Sequence, residues 1–102
     1  MKIPNKVKIG GLIYTVNETN NLNLGMDYLG EILYSDLCIN IKSSCAPQQR
    51  ERSFIHEVIH GIFDNLGYYD HDEKKIDELA GALYSFIIDN PEIFETKQEV
   101  SE

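Results

Sequence analysis

Apolar and polar residues alternate with a period of two in the first half of the chain and with a helical period in the second. Val7 and Ile9 alternate with lysines and stop at Gly10-Gly11, a dipeptide suited to the positive φ angles of a tight turn. Leu12-Ile13-Tyr14-Thr15-Val16 follows, rich in β-branched and aromatic residues, and predicts a first hairpin across the glycines. Asparagine-rich residues 17–25 read as a loop. Residues 29–34 and 37–42 flank Ser35-Asp36 and predict a second hairpin, with Leu37, Ile39 and Ile41 on one face and Cys38, Asn40 and Lys42 on the other. The expected N-terminal half is a small antiparallel sheet of three or four strands.

Pro47 changes the period. Proline suits a first helical turn, where its missing N–H leaves nothing unsatisfied. Phe54, Ile55, Val58, Ile59, Ile62, Phe63 and Leu66 then recur at helical spacing, and Gly67 is placed to close the helix. Asp70 with Glu73 resembles a capping box and predicts the start of a second helix, which runs to Asp89 and stops at Asn90-Pro91. Its apolar face is Ile76, Leu79, Ala80, Leu83 and Ile87. The fold expected is α+β: the sheet followed by two main helices, as one domain over residues 1–94 with a polar tail at 95–102.

Composition narrows the functions. Nine Lys+Arg against 17 Asp+Glu give a net charge of −8 in 102 residues, which argues against a nucleic-acid partner, since phosphate neutralisation needs clustered cations. Arg50 and Arg52 are the strongest basic pair. The N-terminal residues show no apolar signal segment, and no stretch approaches the ~20 apolar residues of a membrane span. A cytoplasmic protein is expected. Cys38 and Cys45 match no zinc-knuckle spacing and are expected to be free thiols in or near the core.

The chemistry concentrates in His56-Glu57-Val58-Ile59-His60. Histidines four residues apart share one helix face and can reach a single tetrahedral Zn²⁺. Glu57 is set to serve as general base toward water, the arrangement of HExxH zinc hydrolases. Two of the chain's three histidines fall in this pattern. A catalytic zinc takes three protein ligands. Downstream candidates for the third are Asp64, Asp70, His71, Asp72, Glu73, Asp77 and Glu78. Asp64, one turn past His60, is either a partner for an imidazole N–H or a solvated charge. On the second helix Asp77 borders the apolar face and Glu78 points away, so geometry favours Asp77. Gly81, with Ala80 and Ala82, and Gly61 after His60 suggest close helix packing.

Phe54-Ile55-His56-Glu57-Val58-Ile59-His60-Gly61-Ile62, Ile76-Asp77-Glu78-Leu79-Ala80-Gly81-Ala82-Leu83-Tyr84 and Asp89-Asn90-Pro91-Glu92 together resemble the compact zinc metallopeptidases of the ImmA/IrrE type. The likeness is nearer to small phage and prophage proteins of the same layout. Lys8 to Tyr14 and Gly30-Glu31-Ile32 are similar too. The resemblance implies a minimal zincin-like fold and a zinc-dependent peptidase acting on a protein substrate, such as a repressor or another regulator. It also implies an acidic third ligand early in the second helix, and the family register puts that acid at Asp77, where glutamate is usual. His56, His60 and Asp77 are then the expected zinc ligands and Glu57 the catalytic base. An electrophilic helper is expected from Tyr68, Tyr69 or His71, and a substrate strand along an edge strand such as Leu37–Lys42. The competing expectation is a non-catalytic metal-binding or protein-interaction module.

Overall fold

The computed structural model describes residues 1–94; the tail expected at 95–102 lies outside the described residues. Four strands, β1 (Lys6–Ile9), β2 (Leu12–Thr19), β3 (Gly30–Leu33) and β4 (Cys38–Lys42), precede two main helices, α1 (Pro47–Asn65) and α2 (Glu73–Asp89), and a short α3 (Pro91–Phe94). The architecture is α+β, as expected. Gly10 and Gly11 both take positive φ and join β1 to β2 in register Ile9↔Leu12, the geometry of a two-residue hairpin turn.

The sheet is mixed where an antiparallel one was expected. Its strand order is β1-β2-β4-β3, and β2 pairs parallel with β4. The connection after β2 is long enough to carry β3 out to the far edge. The turn after β3 then returns β4 into the centre, where Ile39 and Ile41 are wholly buried. Central placement suits the strand with the most apolar inward pair; the shorter β3, with Gly30 at its start, takes the edge.

One sheet face carries Ile9, Tyr14, Val16, Ile39 and Ile41 and packs against Phe54, Ile55 and Ile59 of α1. Ile76, Ala80 and Tyr84 of α2 close the core from the other side of α1, and the Tyr84 hydroxyl donates to Glu51 at 2.7 Å. Gly61 seats α1 on the sheet. A Cβ there would lie 2.8 Å from Cδ1 of Ile9 and 3.1 Å from Cδ1 of Ile32. At its end, α1 closes with Gly67 at φ +92°, the Gly67 N–H donating to Asp64 O at 3.0 Å and the Tyr68 N–H to Phe63 O at 2.9 Å. That bond pair is a Schellman motif, with Phe63 and Tyr68 in edge contact across it. No helix among the described residues is long and apolar enough to cross a membrane.

The opposite sheet face carries a polar row across three strands. Asn17 Nδ2 donates to Asn40 Oδ1 at 3.1 Å, and Asn40 Nδ2 donates to Glu31 Oε2 at 2.7 Å. Glu31 is 2% exposed, and its carboxylate also accepts the backbone N–H groups of Asn23 and Leu24. Burial disfavours its charge, but those three donors outweigh it and hold the pKa below the ordinary carboxylate value. Glu31 thus pins the 20–29 loop to the sheet. Glu31→Gln turns one acceptor oxygen into a donor facing donors, at a cost of about 1–3 kcal/mol. Because the folded pKa is lowered, that contribution is full above the unfolded value and is lost as pH falls through the folded one. Thermal unfolding should therefore separate wild type from Glu31→Gln at pH 7, with the gap closing at acid pH.

Candidate metal centre

The phase of α1 places the centre. Ile55 and Ile59 turn inward against the sheet, which sets His56 and His60 on the flank facing β3 and the start of α2. Both imidazoles are partly buried, with side chains 18% and 12% exposed. The start of α2 matters as much. Its cap is Asp72, not Asp70: the Asp72 carboxylate accepts the N–H groups of Lys74 and Lys75. Glu73 is therefore the first helical residue and not the third, and its carboxylate reaches across to the histidines.

Three side chains meet there. Glu73 Oε1 lies 2.7 Å from Nε2 of His56 and 3.2 Å from Nε2 of His60, and the two Nε2 atoms are 3.2 Å apart. Tetrahedral zinc with bonds of ~2.0–2.1 Å separates its donor atoms by roughly 3.3 Å. Two of the three separations already fit, and the third needs to widen by about the difference between a hydrogen bond and that edge. His56, His60 and Glu73 could thus hold a metal ion.

Asp77, expected as the third ligand, is not in that group. Its Oδ1 lies 3.3 Å from Nδ1 of His56, the nitrogen facing away from Glu73, and its carboxylate is also held by Arg52 at 3.3 Å. One turn along α2 from Glu73, it sits behind the His56 ring, the position from which a carboxylate can orient an imidazole whose other nitrogen faces the centre. Burial works against its charge, yet Arg52 and then His56 bring its pKa below the usual value. Gly81 leaves room for the Arg52 guanidinium, since a Cβ there would lie 2.8 Å from it. The small residue serves a side chain, not the helix-to-helix approach expected from the sequence. Glu78 is exposed and takes no part.

The loop residues divide. Tyr68 and Tyr69 are 63% and 77% exposed and do not line the cleft. His71 stacks behind His60, with Nδ1 atoms 2.7 Å apart. Tyr28 and Tyr34 do line the cleft, and the Tyr34 hydroxyl donates weakly to His60 O at 3.4 Å. Burial foremost, then Asp64 and Glu57, push its pKa up to about 12. Sequence reading passed over it because it sits beside a turn, with no motif around it.

A cleft of about 550 Å³ runs along the edge of β3 that pairs with no other strand among the described residues, between the 20–29 loop and the centre. The edge strand here is β3 and not Leu37–Lys42, which is sandwiched between β2 and β3. Glu57 lies in this cleft, 7% exposed, its Oε2 against the place where a Gly30 side chain would begin. Burial first, then the charges of Glu73 and Glu31, raise its pKa to about 8. The same burial lowers the pKa of His60, against the pull of Glu73. Glu73 itself is held below the usual value because hydrogen bonds from both histidines outweigh its own desolvation.

A raised carboxyl pKa favours the folded state at low pH only. Metal-free protein should lose stability as pH rises from 4.5 towards about 8, by up to about 1.4 kcal/mol per pH unit from this one group. Chelator-treated protein melted across that range should show the slope, and Glu57→Gln should flatten it.

Compared with protein-family models, curated proteins and solved structures, the chain matches none.

Proposed function

We propose that this protein is a zinc-dependent hydrolase that cleaves a peptide bond, with His56, His60 and Glu73 as ligands and Glu57 as general base. The observation that carries the reading is the approach of two imidazole nitrogens and one carboxylate to a single point, beside a buried carboxyl group in the same cleft. Donor chemistry favours zinc, because two neutral histidines and one carboxylate form a recurrent catalytic set for that ion. When bound, zinc supplies Lewis acidity that lets water attack near neutral pH.

Glu57 handles the proton. It takes one from the attacking water and delivers it to the leaving amine. In the loaded centre Glu57 no longer faces an uncompensated Glu73 carboxylate, so it ionises more readily and can act as a base. Tyr34 keeps its proton to about 12 and stands on the cleft wall as a donor for the substrate carbonyl oxygen as that atom gains charge. The edge of β3, unpaired among the described residues, offers backbone groups to an extended substrate segment, which would add to the sheet as a further strand. The likeness to ImmA/IrrE-type peptidases supports the same reading and adds a protein regulator as substrate. Glu73, longer by one methylene than Asp77 and nearer the helix start, takes the place assigned there to the acidic ligand.

Zinc affinity measured by competition with a chromogenic chelator, together with peptide-library hydrolysis, tests the assignment. Wild type should bind one zinc. Glu73→Ala should lose most of that affinity, and Asp77→Ala about 10–100-fold. Glu57→Gln should keep zinc and lose hydrolysis. Undiminished binding in Glu73→Ala would sink the ligand set, and activity in Glu57→Gln would sink the base.

A further inference from the structure

His71 has no part in the ligand set, yet it makes the closest polar contact of His60. Their Nδ1 atoms are 2.7 Å apart, which requires one proton between them. The rings stack at 4.9 Å with planes 20° apart, and the edge of Phe63 meets His71 at 5.7 Å. That packing fixes the rotation of His71. Its other nitrogen, Nε2, is buried and has no hydrogen-bond partner among the described residues.

We propose that His71 is a positioning residue that accepts the Nδ1–H of His60 when His60 is in its metal-binding tautomer; the inference rests on the metal-centre reading above. A neutral imidazole has one ring proton. If His71 donates from Nδ1, then His60 carries its proton on Nε2, directed at Glu73 3.2 Å away, and has no lone pair for a metal. If His60 donates from Nδ1, then Nε2 is bare towards His56 and Glu73, and His71 carries its proton on Nε2. Only the second arrangement lets His60 act as a ligand.

The two ligands are thus held by different means. A carboxylate can only accept, so Asp77, 3.3 Å from Nδ1 of His56, favours the one tautomer that leaves His56 Nε2 bare for a metal. His71 can accept or donate, so the His60 ring is able to exchange tautomers.

The experiment uses zinc and the full chain. His71→Phe keeps the ring and its packing but has no acceptor. His71→Asn puts its amide oxygen where Nδ1 stood, whereas His71→Gln reaches the Nε2 position instead. Zinc affinity should fall about 10–100-fold in His71→Phe and His71→Gln and return in His71→Asn, while metal-free melting of the folded variants stays cooperative. Long-range ¹H–¹⁵N spectra of histidine-labelled, zinc-loaded wild type should show His60 protonated at Nδ1 and His71 at Nε2. Wild type that binds no zinc overturns the metal centre and this inference together. Zinc bound equally well by wild type and His71→Phe, or a loaded His71 protonated at Nδ1, overturns the role of His71 alone.

Discussion

The close seating of α1 on the sheet at Gly61 governs the rest of the molecule. A side chain there would press on the terminal methyls of Ile9 and Ile32, which would have to give way, so the bare position lets the helix sit this close. Approach fixes rotation as well as distance, because Ile55 and Ile59 must then enter the sheet face. His56, Glu57 and His60 follow from that rotation. Two land on the flank towards α2, and Glu57 lands against the start of β3, where Gly30 again leaves a gap. A histidine pair on a loosely packed helix would share a face without sharing a target.

Much of this was legible, and for a physical reason. Helical periodicity, a proline at the first turn and a glycine after the last are local signals, and α1 obeys all three. The β1–β2 hairpin is equally local. The mixed sheet was not legible, because strand order depends on where a ten-residue connection chooses to run. That choice is made by burial: Ile39 and Ile41 gain the centre. Glu31 was hidden by the same limit. Within β3 it reads as an ordinary outward-facing acid, and only the folded-back loop converts it into a buried anchor.

The difference over the acidic residue is narrower and more instructive. Asp70 and Glu73 fit a capping box, and reading them so assigns the Glu73 carboxylate to the backbone. The chain instead caps with Asp72, two residues on. That shift frees Glu73 and leaves Asp77, which leans inward, one turn beyond the group that Glu73 forms with the histidines. The lean itself was real: Asp77 does face α1, and it meets Nδ1 of His56. Facing the right helix is a weaker condition than reaching the right nitrogen.

The two helices therefore present matching ladders. His56 and His60 are one turn apart on α1, and Glu73 and Asp77 are one turn apart on α2. Because α2 starts beside the middle of α1, Glu73 meets both Nε2 atoms and Asp77 meets the back of the nearer ring. His60 lies beyond the reach of a third rung, since α2 has no residue before its cap. The loop must supply its partner, and His71 is the residue the loop supplies. An acid there would add a further negative charge near Glu73 and Glu57, where Glu57 already struggles to ionise. A neutral ring orients His60 without adding that charge, which gives an electrostatic reason for a histidine behind a histidine.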